Sequence, residues 1–261
     1  MTIYQVDAFN NEVFKGNPAA VIPLDSWISE ELMQNIAEEN NLSETVFFVK
    51  NKNHFEIKWF TPTCEVDLCG HATLAASHII FTELNYEEDE LKFNSKSGIL
   101  TVIKVNDWYT LNFPSENIIA INQHLDFLQK ALNTPVLEIY EGKWKLVAVV
   151  ESEETLKKLE PNFSLLSELK WDGIIVTAKG NKVDFVSRFF APKLGINEDP
   201  VTGSAHTILI PYWAKKLGKN NLNALQISKR MGVLKCTYLQ DRVEMSGQAI
   251  TYLKGQLTIK I

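Results

Sequence analysis

Two stretches decide how this chain is read: Phe60-Thr61-Pro62 followed by Asp67-Leu68-Cys69-Gly70-His71-Ala72, and Phe190-Ala191-Pro192 followed by Asp199-Pro200-Val201-Thr202-Gly203-Ser204-Ala205. Phe, Pro, an acid, Gly and Ala recur in one order. Further on, Ser95-Lys96-Ser97-Gly98-Ile99-Leu100 returns as Ser228-Lys229-Arg230-Met231-Gly232-Val233-Leu234, and the spacing from Gly70 to Gly98 nearly equals that from Gly203 to Gly232. Two matches in register mark an internal repeat.

The register extends upstream. Glu44–Val49 with Phe55–Phe60 corresponds to Gly173–Thr177 with Val183–Phe189, and each pair predicts a hairpin. Ser26–Asn40 sets Ile28, Leu32 and Ile36 on one helical face behind Glu30 and Glu31, and Ser152–Leu159 opens similarly with Glu153 and Glu154. After each repeated glycine comes a second helical segment, His71–Leu84 and Ser204–Leu217, too continuously apolar for a surface helix. Helices are too few for βαβ units, so the expected class is α+β, with two pseudo-symmetric domains, each a mostly antiparallel sheet around a central helix. The domains are expected at 1–115 and 120–250, divided within Pro114–Gln123 after the strand Tyr109–Phe113 and before the helix His124–Leu132.

Composition narrows the function. The 261 residues are 45% hydrophobic and 22% charged, which excludes a disordered or collagen-like chain. Twenty-six Lys plus Arg against 32 Asp plus Glu give a net charge of −6, so no global positive excess is available for nucleic acid. Apolar runs fall far short of the roughly 20 residues that span a bilayer, and Met1–Asp7 alternates like a strand with no leader pattern. The expectation is a cytoplasmic protein without a membrane partner, whose three cysteines stay reduced.

A glycine turn opening a buried helix exposes backbone N–H groups at the positive end of the helix dipole, and two such turns suit a small carboxylate held between the domains. An isolated Gly70 or Gly203 would be read as a tight turn only; their symmetric repetition favours function. Departures from the symmetry are more informative still. Glu44 opens an apolar strand whose counterpart begins around Gly173, so one half alone carries a carboxylate suited to proton abstraction and return. His71 and Ser204 follow the two glycines and are candidates for substrate contacts or for ordinary helix caps. Asp199 is either catalytic or a turn former before Pro200, and His206 is expected to be structural. A metal site built on Cys64, Cys69 and His71 lacks a fourth ligand and is disfavoured. Dinucleotide, P-loop and α/β-hydrolase motifs are absent from the sequence.

Phe14-Lys15-Gly16-Asn17-Pro18-Ala19-Ala20-Val21, Ser43-Glu44-Thr45, Cys69-Gly70-His71-Ala72 and Asp199-Pro200-Val201-Thr202-Gly203-Ser204-Ala205-His206 resemble, in order, the motifs of the phenazine biosynthesis-like (PhzF) family. The resemblance covers essentially the whole chain. It implies the diaminopimelate epimerase-like fold, a last strand Thr251–Ile261 that returns to the first domain, a homodimer, and no metal or organic cofactor. It further implies that Glu44 moves a proton between carbons of a substrate like the type enzyme's dihydrohydroxyanthranilate. Asp199, His71 and Ser204 would share its site, the Gly70 and Gly203 amides would hold the substrate carboxylate, and Asn17 would lie near the cleft.

Epimerases of this fold place a cysteine before the glycine of each half. Here those positions hold Cys69 and Thr202, and a threonine cannot shuttle protons at neutral pH. The expected function is therefore a single-carboxylate isomerase, with a carboxylate-binding protein without catalysis, or an amino-acid epimerase or racemase, as alternatives. Cys69 is read as a buried small residue.

Overall fold

The computed structural model describes residues 1–259, so positions 260 and 261 of the expected last strand lie outside the described residues. The chain divides into two compact units, Met1–Asn112 together with the segment from Met245 onward, and Phe113–Glu244. Elements of the first are β1 (Thr2–Ala8), β2 (Asn17–Leu24), α1 (Glu30–Asn40), β3 (Glu44–Lys50), β4 (Phe55–Phe60), β5 (Glu65–Val66), α2 (Gly70–Thr82), β6 (Glu90–Ser95), β7 (Gly98–Val105) and β8 (Trp108–Pro114), the last running into the division. Those of the second are β9 (Ile119–Ala120), α3 (Leu125–Leu132), β10 (Glu138–Glu141), β11 (Lys145–Val149), α4 (Glu153–Lys157), α5 (Phe163–Ser167), β12 (Gly173–Lys179), β13 (Phe185–Ala191), β14 (Ile196–Asp199), α6 (Gly203–Leu217), β15 (Asn221–Gln226) and β16 (Gly232–Tyr238). The chain ends through β17 (Arg242–Gly247) and β18 (Ala249–Gln256).

The repeat read from sequence is a repeat of strand pairing. In the first unit β2 runs parallel to β3, β3 antiparallel to β4, β4 parallel to β6 and β6 antiparallel to β7. In the second, β11 with β12, β12 with β13, β13 with β15 and β15 with β16 follow the same alternation. β18 lies antiparallel against β1, so the described part of the last strand belongs to the first unit, with a register shift at Gln5/Val6. The class is the expected α+β.

Local chemistry sets the helices. Ser29 caps α1 by accepting from Leu32 N at 3.2 Å, Glu30 and Glu31 occupy the favourable first turn, and left-handed Asn41 ends the helix. Its inner face puts Met33, Ile36 and Ala37 against Ile22, Phe47 and Phe60. Helix α2 is buried almost all round, and its small Ala72, Ala75 and Ala76 admit close strands. The buried hydroxyls of Thr73 and Ser77 donate back to Cys69 O and Thr73 O at 2.5 and 2.8 Å, which removes the cost of burying them. In α6, Pro211 removes the N–H that would serve Thr207 O, and Glu116 N donates to that carbonyl at 3.0 Å instead. The second unit's core gathers Leu128, Ile139, Leu146, Ile174 and Phe190 among others on α3 and the strands, with Trp171 from the segment before β12.

Candidate active site

In the first unit, the sequence-predicted Asn17, Glu44 and Gly70 fall within reach of the His71 imidazole or flank it. Gly16 adopts φ +66°, and a Cβ there would fall 2.1 Å from Ala8 O, so only glycine makes the turn that starts β2 at Asn17. Asn17 is fully buried, with its amide 3.2 Å from His71 Nδ1. Parallel pairing of Ala19 with Glu44 sets the start of β3, from which Glu44 Oε2 comes within 2.9 Å of His71 Nε2. His71 is the second residue of α2, one after Gly70, and is itself buried.

The Glu44–His71 approach is close but poorly aligned. Neither Glu44 Oε2 nor His71 Nε2 has a hydrogen bond of good geometry within the protein, although both atoms are buried. A buried carboxylate oxygen beside a buried ring nitrogen, neither with a hydrogen-bond partner, leaves both atoms with bonding capacity for a third group. On the other side of the ring, Nδ1 lies 3.5 Å from Cys69 Sγ. Burial pushes the Cys69 thiol up, and the charge of Glu44 adds to that. Burial disfavours a charged His71, yet its neighbours Cys69 and Glu44 outweigh that effect and hold the ring's pKa well above the usual imidazole range.

Ligand-capable atoms of Glu44, Cys69 and His71 lie within 4.8 Å of one another. An imidazole binds an ion in the ring plane through one nitrogen, whereas here the carboxylate and the thiol face opposite nitrogens. Cys64, grouped with Cys69 and His71 at the sequence level, is instead exposed in a loop closed by Thr61 N donating to Cys64 O at 2.8 Å.

Gly70 and Gly203 are the first residues of α2 and α6, and neither has a positive φ. Left-handed backbone is therefore not what requires a glycine at either position. The N-caps are Cys69 and Thr202, two residues earlier than a capping role for His71 or Ser204 would need. Ser204 is exposed in the first turn of α6.

In the second unit, Asp199 ends β14 opposite Phe189. Thr202 stands where epimerases of this fold carry a cysteine, and its hydroxyl donates to Asp199 Oδ2 in a short hydrogen bond. The fully buried Gln226 reaches the same loop, a contact sequence reasoning missed. Its signal was present: in Asn221–Gln226, Leu222, Ala224 and Gln226 take the buried phase, and a polar residue there breaks the pattern. His206 is structural, with Nδ1 2.8 Å from Thr202 O and its ring tilted against Phe185. His78 also has partners, Tyr109 OH and Thr251 Oγ1, both at 3.0 Å.

An α+β repeat with a carboxylate–imidazole pair at the head of one buried helix and a held aspartate before the other defines the class of protein. The chain belongs to the phenazine biosynthesis-like family, whose model matches residues 6–255. It is 45% identical over 99% of both chains to an uncharacterized isomerase of Pseudomonas aeruginosa. The crystal structure of a PhzF-family phenazine biosynthesis protein from Enterococcus faecalis matches with a TM-score of 0.94 and 49% identity over 99% of each chain. A predicted epimerase of Pseudomonas aeruginosa, 18% identical with a TM-score of 0.78 over 99% of each chain, shares the fold. Among the described residues no helix is long and apolar enough to cross a membrane.

Proposed function

We propose that this protein is an isomerase that moves a proton between two carbons of a small carboxylate-bearing metabolite, with Glu44 as the single acid and base. The observation that carries the reading is the Glu44 Oε2–His71 Nε2 approach of 2.9 Å, in which both buried atoms keep bonding capacity for a third group. Glu44 takes a proton from an acidic C–H, the electron pair spreads over the conjugated system, and the same carboxyl group returns the proton to another carbon. Protons balance, and no oxidant or reductant is consumed. His71, held as a donor beside Glu44, steadies the charge that alternates between carboxylate and substrate. Asp199 and Ser204 orient amino or hydroxyl groups of the substrate, Asn17 sets the His71 ring, and the Gly70 and Gly203 amides receive its carboxylate. Relatives named isomerases support the class.

The second half of the repeat disfavours a two-thiol epimerase, because the Thr202 hydroxyl in the cysteine position is committed to Asp199. The family resemblance also suggests a homodimer, which light scattering tests.

The experiment is deuterium uptake from heavy water into a panel of unsaturated and amino carboxylates, dihydrohydroxyanthranilate included, followed by mass spectrometry for wild type and Glu44→Gln. Exchange or isomerisation by wild type that is lost in Glu44→Gln supports the reading. Binding of panel compounds without exchange in either protein replaces it with a metabolite-binding role.

A further inference from the structure

The two repeats agree in their strands and central helices but differ in how the loop before each buried helix is fastened. At matching ladder positions Ser95 pairs with Gly98, and Gln226 pairs with Gly232. Ser95 is half-buried, and its hydroxyl donates to Gly98 O across its own turn at 2.8 Å. Gln226 is fully buried, and its amide turns away to the loop 199–202. Its Oε1 accepts from Thr202 N at 2.8 Å, while its Nε2 donates to Asp199 O at 2.8 Å and to Thr202 Oγ1 at 3.1 Å. A buried amide costs desolvation unless every group is bonded, and here an apolar residue would fit the strand pattern without that cost. One half of the repeat alone carries it.

Thr202 behaves equally unlike its position. As N-cap of α6 it is suited to accept an N–H of the first turn, an interaction generally worth about 1 kcal/mol, yet its side chain makes no cap bond. A hydroxyl has one proton and two lone pairs. Gln226 Nε2 donates to the oxygen, which leaves the single proton directed at Asp199 Oδ2. The loop is also held by Ser228 Oγ, which donates to Pro200 O at 2.8 Å, and by Gly232, where a Cβ would fall 2.3 Å from Val201 Cγ2.

We propose that Gln226 and Thr202 are positioning residues, a donor chain from Gln226 Nε2 through the Thr202 hydroxyl that fixes the Asp199 carboxylate in one orientation for substrate. The role for Asp199 rests on the isomerase reading above, but the chain itself is measurable without any substrate. Arg188 on β13 and Glu198 on β14 pair with each other at 2.7 Å.

The test is carbon NMR of protein labelled at the aspartate side-chain carboxyl carbons, with the Asp199 signal assigned by its loss in Asp199→Asn. Thr202→Val keeps the shape and removes the hydroxyl; Thr202→Ser keeps the hydroxyl. The expected result is an Asp199 signal displaced in Thr202→Val and restored in Thr202→Ser. Gln226→Met is expected to broaden or double the signal as the hydroxyl loses its direction; if that variant fails to fold, the threonine pair decides alone. An Asp199 signal unmoved in Thr202→Val, or moved as far in Thr202→Ser, overturns the proposal. Loss of isotope exchange in Glu44→Gln is a separate readout, so the isomerase reading and the donor chain fail independently.

Discussion

His71 faces two partners with its two ring nitrogens, Glu44 Oε2 at 2.9 Å from Nε2 and Cys69 Sγ at 3.5 Å from Nδ1. One partner is distant in the chain and one is local: β3 brings the carboxylate, and the N-cap residue of the same helix, two positions before His71, brings the thiol. Geometry and protonation follow together, because a buried imidazole keeps its charge only where anionic character surrounds it.

The first prediction concerns pH. The folded state favours the protonated His71, so the stabilisation is fully present below the unfolded imidazole value of about 6.5 and is lost as pH rises through the raised folded value. Glu44→Gln removes the part of it that Glu44 supplies. The difference in Tm between wild type and Glu44→Gln is expected to be widest below about pH 6.5 and to shrink on the alkaline side. A gap independent of pH would show that the pair is not ionic.

On the acid side, two other histidines act in the opposite sense. Burial holds His206 and His78 at about 4. Between about pH 6.5 and 4 the unfolded chain takes up protons that the folded one refuses, so each costs stability as pH falls, in total about 3 kcal/mol apiece. Thermal melts across that window are expected to show a steep loss of Tm, made shallower in His78→Gln.

Replacing Cys69 separates one-base from two-thiol chemistry. With the thiol neutral and buried, Cys69→Ala is expected to retain isotope exchange within about tenfold, whereas Glu44→Gln loses on the order of a hundredfold or more. Equal losses in the two variants would restore the epimerase alternative.

Gly16 links backbone strain to the site. Alanine there meets Ala8 O and a left-handed φ, so Gly16→Ala is expected to destabilise by roughly 1–3 kcal/mol and to displace Asn17 from His71. Chemical denaturation measures the first effect, and the His71 ring resonances by NMR measure the second.

Arg188 pins the second unit. It forks onto Glu198 through Nε and Nη2 at 2.7 and 2.9 Å and donates to Leu156 O and Leu159 O at the end of α4. A lysine cannot reproduce that fork, so Arg188→Lys is expected to cost about 2–4 kcal/mol by denaturant melts, with little change in isotope exchange. A neutral substitution would reduce the fork to a surface ion pair.

Much of this molecule was legible in one sequence because it contains its own comparison. The repeat fixes which segments are strands and which helices are central, and apolar continuity from Ala72 to Phe81 marks burial without reference to any partner. Glu44 stood out because its counterpart lies at the start of an apolar strand with no acid, and Gly70 and Gly203 because they recur. These are properties of order and spacing along the chain. Contacts across strands are not, since they depend on register and on the direction each side chain takes. Tertiary structure alone decided that Cys64 stays away from Cys69 and His71, that Glu44 meets Nε2 while the thiol meets Nδ1, and that the Thr202 hydroxyl abandons its cap for Asp199. Gln226 is the clearest case: one polar residue in a strand's buried phase signals that something must bond it, but only the fold brings β15 to the loop 199–202 and shows what that is.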